Sequence, residues 1–169
     1  MVRWDGVPQK ISHIVLHSPD HHALVKWFCD VLGFKVSDWL GDFMVFLRCN
    51  SAHHRIALLP GPPCLNHVAY DMLSVDDMMR GAHRLKVKGV DMGWGPGRHT
   101  AGNNTFSYFT TPAGFAVEYT AELEQVDDAT WLLSQLRQLG LTAEQHRLSG
   151  RSLASLQVLY FEETVEEKL

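Results

Sequence analysis

The chain has 169 residues, a formal net charge of −4, 46% hydrophobic residues and 20% charged residues, as expected for one globular domain. This composition argues against collagen, coiled coil and extended disorder, and the mild acidity argues against a nucleic-acid partner, which would require clustered Lys and Arg. No apolar run reaches the ~18 residues of a membrane span, and the N-terminal residues lack the apolar segment of a signal peptide. We therefore expect a cytoplasmic protein with no membrane partner.

Cysteine and histidine usage narrows the possible chemistry. The three cysteines, Cys29, Cys49 and Cys64, include no C-x-x-C pair, which predicts reduced thiols rather than a disulfide framework or a zinc knuckle. Histidine is abundant, with ten residues against 15 for Lys plus Arg. The count by itself shows only that metal chemistry is possible. The positions of the histidines must show whether they form a metal site.

The first part of the chain predicts a strand, a helix and three further strands. Residues 11–16, Ile-Ser-His-Ile-Val-Leu, have the apolar, β-branched pattern of a strand. Residues 18–20 then open a helix with Pro19 at its first helical position, and Gly33 ends it. Three strand-like runs follow, at about residues 34–37, 41–47 and 55–59.

The second part repeats this order after a short, stiff linker at residues 60–63. Residues 65–70, Leu-Asn-His-Val-Ala-Tyr, match the first strand and again carry histidine at the third place. Ser74 opens a helix through a short capping box, and Gly89 ends it. Strand-like runs follow at about residues 90–92, 104–109 and 115–120.

Each half is therefore a β-α-β-β-β unit of about 55 residues, too small to cover both faces of its own sheet. The sequence predicts an α+β fold in which two paired modules, about residues 9–60 and 64–121, form a concave half-barrel sheet. We assign residues 1–125 to this single domain. Residues 126–169 form a C-terminal appendage of unassigned role, with a predicted helix and a possible strand.

Strand alternation brings three metal-ligand types onto the concave face. His13 and His67 occupy equivalent places in the repeat, and Glu118 faces the same side from the last strand. Each histidine taken singly is more often a core residue, but their equivalence favours a shared role. A buried ionised carboxylate is costly unless a cation or donor compensates it. Two imidazoles and one carboxylate suit Fe(II) and leave about three coordination positions open.

Further candidates lie around this set of three. His99 stands in the glycine-rich loop 95–100, Tyr108 lies in a predicted strand, and His53 and His54 precede another strand. Strand packing for Tyr108 and solvent exposure for the histidines are the ordinary alternatives. The remaining histidines are assigned to helix starts, exposed helix faces or the appendage. They are His17, His21, His22, His83 and His146.

In these motifs the chain resembles type I extradiol ring-cleavage dioxygenases of the vicinal oxygen chelate superfamily, and is most similar to the 2,3-dihydroxybiphenyl 1,2-dioxygenase group. The resemblance covers about residues 9–125. It lies in an ordered set of motifs: Leu-Asn-His-Val-Ala at 65–69, Gly-Arg-His-Thr at 97–100, Tyr108, and Gly-Phe-Ala-Val-Glu-Tyr at 114–119.

The resemblance implies that His13, His67 and Glu118 bind Fe(II), with Mn(II) or another divalent metal as an option. It implies a domain whose sheet surrounds that metal. The implied reaction is meta cleavage of a catechol, such as 2,3-dihydroxybiphenyl, with both atoms of O2 retained in the product. It also implies a homo-oligomer.

By the same resemblance, His54 is the active-site acid and base, while His99 and Tyr108 are partners of a substrate oxygen. His54 is preferred to His53 because of its distance from the following Ile-Ala-Leu strand, and the choice between them stays open. The chain carries one pair of modules, where many family members have a second, metal-free pair. We therefore expect it to belong with the single-domain members.

Two alternatives use the same scaffold. A glyoxalase or fosfomycin-resistance-type enzyme would bind Zn, Ni or Mn and perform no oxygen chemistry, and it has no evident use for His54, His99 and Tyr108. A metal-free small-molecule binding protein, as in bleomycin resistance, has no need for two histidines and a glutamate that face one another.

Overall fold

Two successive β-α-β-β-β modules make up the described part of the chain, which in this computed structural model comprises residues 6–41, 43–128 and 131. The first module contains β1 (Lys10–Ser18), α1 (His21–Leu32), β2 (Lys35–Leu40), β3 (Met44–Arg48) and β4 (Ile56–Pro60). The second contains β5 (Cys64–Asp71), α2 (Val75–Val87), β6 (Met92–Arg98), β7 (Thr105–Thr110) and β8 (Ala116–Ala121). The predicted α+β class is confirmed.

All eight strands belong to one mixed sheet, in the order β2-β3-β4-β1-β5-β8-β7-β6. In each module the first strand pairs parallel with the last, β1 with β4 and β5 with β8. Antiparallel pairing of β1 with β5 joins the two modules. The first strand of each module therefore lies at the centre of the sheet, and the predicted pairing of two modules in one curled sheet is confirmed.

The helices begin and end close to the predicted positions, with one correction. The N-cap of α1 is Asp20, whose carboxylate accepts a hydrogen bond from the Ala23 amide at 2.8 Å, so Pro19 lies before the helix rather than at its first position. Gly33 ends α1 with a φ of 73°, a left-handed conformation that favours glycine. Ser74 caps α2 by accepting from the Asp77 amide at 3.1 Å, as predicted.

A larger difference concerns the glycine-rich segment, which we predicted to be a loop and which forms most of strand β6. The Gly95–Pro96 peptide bond is cis. A Cβ atom at Gly97 would lie 2.5 Å from Cζ of Phe106 on the neighbouring strand β7, so the missing side chain lets the two strands approach closely. Tertiary packing thus overrides the local preference of glycine and proline for loops.

Most of the predicted C-terminal elements, a helix at about 127–139 and a strand at about 155–162, lie outside the described residues, as does His146. Among the described helices, none has the length and apolar character required to cross a membrane.

Candidate functional site

Three side chains from the central strands converge on one point of the sheet. His13, His67 and Glu118, only 4%, 6% and 0% exposed, come from β1, β5 and β8. Ala69 is paired with His13 across one strand boundary and with Glu118 across the other. Nε2 of His13 and of His67 lie 3.2 and 3.1 Å from Oε2 of Glu118. The structure therefore brings the predicted ligand set together, with the three ligand atoms within 4.8 Å of one another.

This cluster places groups with lone pairs face to face in a buried space. Nε2 of His67 and Oε2 of Glu118 are close but lack the directional geometry of a hydrogen bond, and neither has another partner. Burial raises the pKa of Glu118, but the neighbouring His13 and His67 imidazoles outweigh it and lower this pKa to about 2. An ionised carboxylate and two imidazole nitrogens that face one another in a buried space fit a divalent first-row transition metal.

The other carboxylate oxygen of Glu118 is held by a residue that sequence reasoning missed. The fully buried Asn104 donates from Nδ2 to Oε1 of Glu118 at 3.3 Å and to Oγ1 of Thr120 at 2.7 Å. Thr120 in turn donates to the backbone carbonyl of Thr105 at 2.8 Å. A polar residue just before the strand opposite Glu118 was the available signal. This network fixes the orientation of the carboxylate.

His99 and Tyr108 stand together beside Glu118. Tyr108 is paired with Glu118 across β7 and β8, and its Oη lies 3.3 Å from Nε2 of His99. The His99 ring stacks on Phe106, with centroids 4.0 Å apart and planes at 19°. Burial raises the pKa of Tyr108, and the negative charge of Glu118 adds to the rise. Tyr108 is therefore a neutral phenol that can donate a hydrogen bond.

His53 and His54 are buried, at 0% and 3% exposed, so the surface alternative for this pair is wrong. The His54 ring lines the central cavity, 4.3 Å from the His13 ring. His53 lies behind it, with its Nδ1 3.0 Å from Nδ1 of His54 and its Nε2 3.8 Å from the carboxylate of Asp38. Burial lowers the pKa of His54 well below its ordinary value, and the neighbouring His13 and His53 lower it further.

Three histidines that we assigned to the surface are wholly or partly buried. His22 is half-buried and stacks on Trp39, with ring centroids 5.1 Å apart. His21 is 7% exposed and is packed near Trp39, because the first turn of α1 faces strand β2. His17 on β1 is partly buried and forms hydrogen bonds through both ring nitrogens, to the Pro60 carbonyl and to Asn66. His83 is exposed on α2, as predicted.

A cavity of about 510 Å³ is lined by His13 and His67, two of the three converging side chains. Half of its lining residues are aliphatic or aromatic, and they provide most of the surface that the cavity presents. They are Val15, Leu40, Phe43, Met44, Phe46, Leu59, Trp94 and Ala101. The polar wall comprises His13, His54, Asn66, His67, His99, Thr100, Asn104 and Tyr108. None of the described residues that line the cavity is a lysine or an arginine.

Comparison with known proteins agrees with this architecture. The sequence profile of the glyoxalase/bleomycin resistance protein/dioxygenase superfamily matches residues 10–119. Metapyrocatechase 2 of Cupriavidus necator is 32% identical over 123 residues, which are 71% of this chain and 38% of that enzyme. An iron-dependent extradiol dioxygenase of Rhodococcus jostii is 30% identical over 140 residues, which are 73% of this chain and 47% of the relative. The chain belongs to this superfamily, and the predicted membership is confirmed.

A solved structure is closer in sequence. The Mn(II)-bound glyoxalase from Novosphingobium aromaticivorans is 84% identical, with a TM-score of 0.72 over 75% of this chain and 42% of that one. The chain thus spans less than half the length of these relatives. A separate match of 53 residues is 60% identical to lysine–tRNA ligase of Variovorax paradoxus and covers 10% of that enzyme, too little to carry a functional argument.

Proposed function

We propose that the protein is an Fe(II)-dependent extradiol dioxygenase that cleaves an uncharged, apolar-substituted catechol with O2. The observation that supports this proposal is the buried set of His13, His67 and Glu118, whose two histidines line a largely apolar cavity. His13, His67 and Glu118 would hold the iron, which would supply coordination sites for a catechol and O2 and a path for electrons between them. The carbon–carbon bond beside the diol breaks, and both oxygen atoms enter the product.

The residues in the cavity wall have separate tasks in this proposal. Tyr108 donates its phenolic proton in a hydrogen bond to the deprotonated substrate oxygen, and His99 holds the Tyr108 hydroxyl. His54 is neutral at neutral pH because its pKa is lowered, so it can accept a proton from a catechol hydroxyl and return it as the ring opens. Since Nδ1 of His54 is engaged by His53, this proton is exchanged at Nε2.

The apolar wall limits the substrates that the cavity suits. Phe43, Phe46 and Trp94 present aromatic surface, and the described lining offers no cation to neutralise a carboxylate. A catechol with an aryl or alkyl substituent fits this wall better than one with an acidic side chain. Since no lysine or arginine occurs among the described lining residues, the cavity also suits the negatively charged thiol adducts of 2-oxoaldehydes poorly.

A manganese-dependent glyoxalase is the second candidate, because the relative that is 84% identical is a Mn(II)-bound glyoxalase. Such a reaction moves a proton between neighbouring carbon atoms and consumes no O2. It would use the same three ligands and one base, but it gives no task to the pair of His99 and Tyr108. The two candidates therefore differ in their need for O2 and in the residues that they require.

Metal reconstitution followed by two assays separates the candidates. The apoprotein is loaded anaerobically with Fe(II), Mn(II) or Zn(II) and then given 2,3-dihydroxybiphenyl in air, or methylglyoxal with glutathione. A yellow ring-fission product with one O2 consumed per substrate supports the dioxygenase. The dioxygenase proposal would be overturned in favour of the glyoxalase if the protein converted the thiol adduct without O2 uptake and no metal form cleaved a catechol.

A further inference from the structure

A chain of hydrogen bonds runs from the last residue of β4 to the candidate ligand His67. Nδ1 of His17 lies 3.1 Å from the carbonyl oxygen of Pro60, and Nε2 of His17 lies 2.8 Å from Nδ2 of Asn66. Oδ1 of Asn66 then lies 2.7 Å from Nδ1 of His67. Three strands contribute to this chain, since His17 is in β1, Pro60 in β4 and Asn66 in β5.

The Pro60 carbonyl determines which group donates in each hydrogen bond of this chain. A carbonyl oxygen can only accept, so the Pro60 carbonyl requires a proton on Nδ1 of His17. In the neutral ring, Nε2 of His17 is then an acceptor, and it accepts from the amide nitrogen of Asn66. This leaves Oδ1 of Asn66 facing Nδ1 of His67, which must donate. In the neutral His67 ring, Nε2 is then the unprotonated nitrogen, and this atom faces Glu118 at 3.1 Å.

The backbone leaves room for this arrangement at one particular residue. Gly61 follows Pro60 in the linker, and a Cβ atom there would lie 2.8 Å from Nδ1 of His17. Its φ of 151° is also one that residues with side chains rarely adopt. Glycine at this position therefore allows the His17 ring to reach the Pro60 carbonyl.

The corresponding place in the first module has only a short version of this chain. Ser12 precedes His13 as Asn66 precedes His67, and its Oγ lies 3.4 Å from Nδ1 of His13. A hydroxyl can rotate to donate or accept, so it leaves the protonation of His13 open. The longer chain makes His67 the more firmly oriented of the two imidazoles.

We propose that His17 and Asn66 are positioning residues that keep Nε2 of His67 free of a proton and aimed at the metal. This inference rests on the metal centre of the proposed function, but not on the identity of the substrate. Without the His17 bond, the Asn66 amide can rotate and present its nitrogen to His67. That rotation would shift the proton of His67 to Nε2, where it competes with the metal.

Two kinds of measurement test the proposal, and the first needs no metal. Nitrogen-15 NMR of the histidine rings in the apoprotein at pH 8 reports which ring nitrogen of His67 carries the proton. We expect Nδ1 in the wild type and a shift toward Nε2 in His17→Phe and Asn66→Leu. Asn66→Asp keeps an acceptor for Nδ1 of His67, so we expect this variant to retain the wild-type form.

The second measurement is Mn(II) affinity by competition with a chelator. We expect His17→Phe and Asn66→Leu to bind Mn(II) about 10- to 100-fold more weakly than the wild type, and Asn66→Asp to restore the affinity. Gly61→Ala should weaken binding as well, because it displaces His17 without changing either positioning residue. His22→Phe is the matched control, since this half-buried histidine is stacked on Trp39 outside the chain of bonds.

The outcomes are distinct from those of the catalytic assay. Wild-type affinity in both His17→Phe and Asn66→Leu, or a proton on Nε2 of His67 in the wild-type apoprotein, would overturn the inference. Failure of the wild type to bind any divalent metal would overturn both proposals. A protein that binds Mn(II), responds to these variants and cleaves no catechol would refute the dioxygenase and leave the positioning role intact.

Discussion

Substitution of Glu118 by Gln separates a metal ligand from an ordinary buried ion-pair partner. The two side chains have nearly the same shape, and the change removes the charge of a carboxylate that is 0% exposed. If Glu118 serves only to pair with His13 and His67, removing it should cost about 3 to 5 kcal/mol of stability even without metal. If it is a metal ligand, the cost in chelator at pH 8 should stay below about 1 kcal/mol, since the Gln amide can donate to an imidazole nitrogen.

The larger effect should appear when metal is added. A metal at 100 times its dissociation constant raises the free energy of unfolding of the wild type by about 2.7 kcal/mol, or roughly 10 °C in Tm for a domain of this size. A 100-fold loss of affinity in Glu118→Gln would leave only about 0.4 kcal/mol of this stabilisation, or roughly 2 °C.

Urea unfolding in chelator and thermal unfolding with added Mn(II) measure the two quantities. Glu122→Gln is the matched control, because this exposed glutamate pairs with Arg98 away from the cluster of three. Equal metal-induced shifts in the wild type and Glu118→Gln, together with a loss of 3 to 5 kcal/mol in chelator, would refute the assignment of Glu118 as a ligand.

Three further predictions concern the cavity wall and strand β6. The pKa of His54 lies well below its ordinary 6.5, so below that pH the unfolded chain takes up a proton that the folded protein refuses, and stability falls. Urea unfolding at pH 7 and pH 5 should therefore show a smaller loss in His54→Gln than in the wild type, and parallel losses would contradict the buried neutral ring. Tyr108→Phe should keep bound iron and lower kcat about 10²-fold in the catechol assay, whereas an unchanged kcat would remove this hydroxyl from the mechanism. Gly97→Ala should cost about 1 to 3 kcal/mol in urea unfolding because its Cβ would meet the Phe106 ring, and wild-type stability would show that β6 can move away.

The arrangement of the ligand set could be predicted because it follows from periodicity. His13 and His67 hold the same place in two repeated strands, and alternation places Glu118 on the same face of a strand parallel to β5. The place of each histidine in the repeat and the face of each residue depend only on spacing, which a sequence shows directly, whereas the parallel pairing is seen in the structure. Repeats and strand alternation were therefore enough to bring three distant residues to one face.

Features that depend on a close approach between distant segments could not be predicted in this way. Strand β6 forms because glycine lets it lie against Phe106, and a composition rich in glycine and proline gives the opposite local signal. The role of His17 depends on the carbonyl of Pro60, 43 residues away along the chain. A backbone carbonyl belongs to every residue and leaves no trace in a sequence pattern, so such a contact is visible only in the folded protein.

The antiparallel pairing of β1 with β5 has a consequence for how the domain unfolds. It is the seam between the modules, and the cluster of three crosses it, with His13 on one side and both His67 and Glu118 on the other. Neither module alone holds the full set of candidate ligands. A bound ion would tie two similar halves into one cooperative unit, so that opening either half releases the metal and costs the binding energy. The amides of β1 and β5 should then be the last to exchange their hydrogens in the metal-bound protein.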